Sequence, residues 1–163
     1  MPAEETSKRN APPVCAGPDL APRKPKFALP PGATDCHAHV FGAREKYGHA
    51  ADRLYTPPPV FLKDYLAMLD ALGIARAVVV QSGVHGTNND VIVDAIEQSH
   101  GRLKGIALIP ETIGDAELDR LAAAGVRGFR ANLVAKTGVQ FDAAKKLAAR
   151  VKRLGWHVQF LLD

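Results

Sequence analysis

From residue 33 onward the chain repeats one unit: a short apolar strand, a loop, an amphipathic helix, a glycine, then another strand. The pattern predicts strands over 33–41, 75–81, 103–109, 126–133 and 156–162. The run Val78-Val79-Val80 is what a strand buried on both faces needs. Between the strands, apolar residues recur at helical spacing. Phe61, Tyr65, Leu69 and Leu72 come first, stopped by Gly73; Val91, Ala95 and Ile96 follow Asn88-Asn89. Leu118, Leu121 and Ala122 mark a third helix, and Leu147, Val151 and Leu154 a fourth before Gly155. Alternating strands and helices imply a parallel sheet with right-handed crossovers. A doubly wound sheet could stop at five strands, but no glycine-rich phosphate loop follows the first one. The reading is therefore an α/β chain of the TIM-type (β/α)8 class, truncated after strand five, because a closed barrel needs eight strands.

Residues 1–31 are rich in Pro, Ala and charge and lack periodicity, so they are read as a flexible leader; residues 32–163 are read as the N-terminal part of the barrel. The net charge of +4 comes partly from that leader, and the basic residues elsewhere lack interleaved aromatics. Nucleic-acid binding is not expected. No apolar run reaches the length of a membrane span, and residues 1–31 hold no signal-peptide core. Two cysteines, Cys15 and Cys36, make no disulfide framework. The expectation is a cytoplasmic protein, with Cys36 as a small core residue facing away from the histidines.

The chemistry concentrates in Asp35-Cys36-His37-Ala38-His39-Val40-Phe41-Gly42. On a strand, residues two apart share a face, so His37 and His39 aim together, with Asp35 one step further down that face. Two imidazoles at a strand end either hold a metal ion or hydrogen-bond a carbonyl oxygen. Gly128, Arg130 and Asn132 share one face of the fourth strand and Phe129 and Ala131 the other, so Arg130 projects inward near the mouth. There a guanidinium would grip a substrate carboxylate or pair with a structural acid. Tyr55 and His85 lie in loops that carry function in barrels.

These segments, with Tyr55-Thr56-Pro57, Gln81-Ser82-Gly83-Val84-His85-Gly86 and Gly125-Val126-Arg127-Gly128-Phe129-Arg130, resemble the amidohydrolase superfamily in its amidohydrolase-2 branch. More narrowly they resemble the 2-pyrone-4,6-dicarboxylate lactonases. The resemblance covers about residues 32–163. It implies a hydrolase that cleaves a lactone or related cyclic ester of a small carboxylic acid. His37 and His39 would be catalytic, and Arg130, Tyr55, His85 and Ser82 would bind a small anionic substrate. It implies no cofactor. The alternative is a divalent-metal-dependent hydrolase or decarboxylase, with His37 and His39 holding one ion such as Zn²⁺. The family's second arginine corresponds to Lys136 here, its strand-two serine to Gly83, and its tyrosine near strand five to Leu161 or Leu162. A reading of another class is an inactive fragment that self-associates through open sheet edges.

Overall fold

The computed structural model describes residues 11–134 and 137–162, with backbone only for Thr137 and Gly138. Five parallel strands form its frame: β1 (Thr34–Ala38), β2 (Arg76–Val80), β3 (Leu103–Ala107), β4 (Val126–Asn132) and, last in the chain, β6 (His157–Leu161). Their order in space follows their order in sequence. A doubly wound sheet would reverse direction at a switch point, so the sequential order distinguishes the two α/β alternatives in favour of barrel winding. Two elements carry no sequence signal. One is the four-residue α1 (Arg44–Tyr47); the other is β5 (Thr137–Gly138), which pairs antiparallel with Ala131 and Asn132.

The helices are α2 (Leu62–Leu72), α3 (Asp90–Gln98), α4 (Asp115–Ala124) and α5 (Phe141–Val151). One hydrophobic cluster joins them to a single face of the sheet, through Leu69, Ile92, Leu118 and Leu147 against Ala77, Val79, Ala107, Phe129 and Ala131. The alternating residues line the other face. Val80 is in register with Ile106, and Ile106 with Gly128. Gly128 is obligatory there, because a Cβ would sit 2.6 Å from the His157 carbonyl oxygen of the neighbouring strand.

β1 departs from regular pairing. Asp35 lies opposite Ala77 and Ala38 opposite Val79, so three steps on β1 match two on β2. An extra residue in one strand is a bulge, and it reverses the facing of what precedes it. Asp35 therefore turns toward the helices, where Tyr65 of α2 donates to its Oδ2 at 2.9 Å. The expectation that Asp35 shares the histidines' face is corrected by this bulge. Cys36, within it, is exposed rather than a core residue, because β1 pairs on one side only among the described residues. Near the start of the described residues, Val14 bridges Thr56, and Thr56 bonds Pro13 and Cys15 through its backbone. Among the described residues no helix is long and apolar enough to cross a membrane.

Candidate active site at the strand ends

His37 and His39 project at the C-terminal end of β1, their ring centroids 5.2 Å apart and their planes perpendicular. Each ring has a polar neighbour, and that of His39 determines its tautomer. The Val80 carbonyl lies 2.7 Å from Nδ1 of His39. A carbonyl only accepts, so Nδ1 carries the proton and Nε2 keeps a lone pair. Nη2 of Arg130 lies 2.7 Å from Nε2 of His37. The same Nη2 lies 3.2 Å from Nδ1 of His37, so the guanidinium, which only donates, faces both ring nitrogens and does not select one His37 tautomer. Both surroundings disfavour the imidazolium form. Burial lowers the His39 pKa, the Val80 bond opposes it and Arg130 adds to it; burial, then Arg130, then His39 lower that of His37, with Asp35 opposing.

Arg130 comes from β4, where alternation with Phe129 and Ala131 turns it away from the helices, as its place in the strand predicts. It is 8% exposed, and burial pulls its pKa down, opposed by Tyr55; no carboxylate among the described residues acts on it. Of the two roles open to it from sequence, the structural ion pair finds no partner among the described residues. A buried cation without an acid is costly unless a ligand supplies one.

A cavity of about 270 Å³ opens at these strand ends, lined by His39, Tyr55, Ser82, Arg130, Asn132 and Arg53. No acid among the described residues lines it. Tyr55 reaches it from the loop after β1, its hydroxyl 3.0 Å from the Ser82 hydroxyl. The Ser82 Oγ also accepts from the Val84 amide at the start of a 3-10 turn. A larger hollow, about 410 Å³ around Val40, Lys46 and Leu62, lies among the helices and gathers no histidine or arginine.

Four of the six residues singled out from sequence, His39, Tyr55, Ser82 and Arg130, therefore line one cavity, and His37 joins them through Arg130. His85 does not. It is buried beside the cavity, with Nδ1 2.7 Å from the Gly48 carbonyl and its ring against Phe41 and His49. That contact ties the loop after β1 to the loop after β2. Lys136 lies outside the described residues. Sequence reasoning missed Arg53, which its own loop pins through Thr56 Oγ1 at 3.2 Å and the Ala50 carbonyl at 3.1 Å. An arginine two residues before Tyr55 was the available signal.

The described residues do not by themselves fit a divalent ion. No group of three or more His, Cys, Asp or Glu comes together among them, and a catalytic zinc takes three protein ligands. The His37 lone pair is also taken by a guanidinium, whose charge repels a metal cation.

Comparison with known proteins agrees with the geometry. A 2-pyrone-4,6-dicarboxylate hydrolase from Comamonas testosteroni is 46% identical over 140 residues, which are 84% of this chain and 46% of the relative. A 4-sulfomuconolactone hydrolase from Rhizobium radiobacter is 45% identical over 118 residues, 72% of this chain and 40% of the relative. Among solved structures, a probable 2-pyrone-4,6-dicarboxylic acid hydrolase from Acinetobacter baumannii, with citric acid bound, superposes with a TM-score of 0.70. It is 31% identical, over 79% of this chain and 49% of that one. The chain spans about half the length of the curated relatives it matches, and its curled sheet corresponds to half of a TIM-type barrel. The amidohydrolase model of the amidohydrolase-2 type matches residues 34–162, and with these relatives it establishes that the chain belongs to the amidohydrolase-2 family.

Proposed function

We propose that this chain carries the strand-one to strand-five part of the active site of a cytoplasmic lactone hydrolase acting on a small, acidic cyclic ester. The observation that carries the reading is Arg130, a buried guanidinium with no carboxylate partner among the described residues, set against two histidines whose surroundings disfavour charge, at a cavity that no described acid lines. Its planar fork suits a carboxylate, which would neutralise it through two parallel hydrogen bonds. Arg53 adds a second cation on the same wall. The paired hydroxyls of Tyr55 and Ser82 orient the ring.

In lactone hydrolysis, water adds to the ester carbonyl and the ring C–O bond breaks, leaving a carboxylate and a hydroxyl group. The His39 Nε2 lone pair is free to receive a proton in that sequence, since its Nδ1 is committed to Val80. A neutral His39 has committed its one N–H to Val80, so its outward Nε2 has no proton to donate to a carbonyl, whereas His37 keeps that option. The guanidinium is the fixed positive charge available for that task. No step is assigned to a metal ion, because the donors present do not complete a site.

The test is hydrolysis of 2-pyrone-4,6-dicarboxylate and of 4-sulfomuconolactone, followed by the loss of their ultraviolet absorbance. The assay uses a protein in which this segment is joined to the rest of its barrel. Turnover of one of them that is lost with Arg130→Met supports the reading. A folded protein that opens no acidic lactone refutes it.

A further inference from the structure

Asp35 stands outside the chemistry just described, yet it touches both the helix layer and the histidine strand. Its Oδ2 accepts from the Tyr65 hydroxyl at 2.9 Å, and its Oδ1 accepts from the His37 backbone amide at 3.0 Å. Tyr65 is a core residue of α2, 6% exposed, whose hydroxyl would otherwise be buried without an acceptor. The β1 bulge falls between Asp35 and Ala38, the stretch these two bonds span.

We propose that Asp35 is the positioning residue of the histidine pair: held by Tyr65, it fixes the bulge that turns the His37 ring onto Arg130. The inference rests on the reading that His37, His39 and Arg130 form the reacting site. In a regular β1, Asp35, His37 and His39 would face the same way, and the carboxylate would stand among the groups that receive the substrate anion. The extra residue solves two problems at once. It removes a negative charge from an anion-binding cavity, and it uses that charge to clamp the first histidine from behind. Burial and the bond to Asp35 push the Tyr65 pKa up, so its hydroxyl stays a donor across the working range of an enzyme. Partners that orient a reactive histidine matter for rate even though they never touch the substrate.

The experiment compares Asp35→Ala, Asp35→Asn and Tyr65→Phe in the full chain without ligand. It reads the ¹⁵N shifts of the His37 ring, the cross-relaxation between that ring and the Arg130 side chain, and the melting temperature. Asp35→Ala is expected to abolish the His37–Arg130 contact, and Tyr65→Phe to weaken it. Asp35→Asn is expected to restore it, because its Oδ1 still accepts from the His37 amide. In a protein that turns over substrate, Asp35→Ala would lower kcat by about 10- to 100-fold with KM nearly unchanged. If the His37 signature survives in Asp35→Ala while the melting temperature falls, Asp35 is a structural residue and the proposal fails. Should Asp35→Ala not fold, Tyr65→Phe decides: an undisturbed His37–Arg130 contact in that variant overturns the proposal. These spectra are recorded without substrate, so they stand even if the lactonase reading falls.

Discussion

Replacing Arg130 by methionine separates its two possible roles by sign. The substitution keeps an unbranched apolar stem and removes the guanidinium. In the free protein that cation is 8% exposed, has no carboxylate beside it among the described residues, and is disfavoured by burial. Exchanging buried charge for a well-packed hydrophobe is often neutral or stabilising by about 1–4 kcal/mol. One neighbour, His37, already accepts from Arg130, so the gain expected here is at the low end, about 1 kcal/mol. For a chain of this size that raises the melting temperature by roughly 2–4 °C. Binding should move the other way. Loss of a charge-assisted contact costs about 1.5–3 kcal/mol, which is roughly 10- to 150-fold in Kd. Differential scanning fluorimetry reads the first effect. Titration calorimetry with citrate, the acid bound in the Acinetobacter baumannii structure, reads the second. A variant that melts several degrees early yet binds citrate as before would show that Arg130 is a structural cation, and the anion-site argument would collapse.

Three further outcomes are expected. His39→Ala in a protein carrying the rest of the barrel should cut turnover by about 10²–10⁴-fold, as removal of a proton-transfer group does, with little change in melting temperature; parent-rate turnover would place the chemistry elsewhere. His37, His39, His49 and His85 all have pKa values lowered by burial, so the unfolded chain binds more protons just below pH 6.5. Their contribution to stability is present above that pH and is lost as pH falls through it toward the folded values. Melting curves should therefore drop between pH 7 and pH 5, and a flat profile would contradict the claim that these surroundings disfavour charged histidines. Finally, β1 and β6 each pair on one side only among the described residues, and Phe160, Leu161 and Leu162 are exposed beside β6. Such edges recruit other strands, so the 163-residue chain should elute above monomer size in size-exclusion chromatography; a concentration-independent monomer would show the edges to be protected.

Much of this architecture was legible in the sequence because it rests on period and punctuation. The alternation of Phe129 and Ala131 with Arg130 and Asn132 placed the guanidinium correctly, and the glycines after α2 and α4 marked where those helices stop. What escaped was set by contacts distant in sequence. The fate of His85 depended on the Gly48 carbonyl, 37 residues away, which made it a tie between loops rather than a cavity residue. Arg53 entered the cavity because Thr56 and Ala50 hold its side chain, and loop geometry of that kind leaves no periodic trace.

The misplaced Asp35 is the most instructive of these. Strict alternation over Asp35, His37 and His39 is the correct inference for an unbroken strand, and it fails by one residue. Nothing in the local sequence demands a bulge there. The demand comes from α2, where Tyr65 brings a hydroxyl into the hydrophobic layer and must find an acceptor. Asp35 is within reach of it only if the chain gains a residue before His37. The same extra residue gives the His37 amide a carboxylate oxygen to bond and leaves Arg130 without a nearby carboxylate among the described residues. A carboxylate on the cavity face would have neutralised Arg130 and occupied its fork, so a guanidinium with no carboxylate partner among the described residues and an aspartate turned to the helices are two results of one bulge. In the proposed reading, the site's preference for an anion follows from how α2 packs on β1, and changing Tyr65 should be felt at Arg130, on the other face of the sheet.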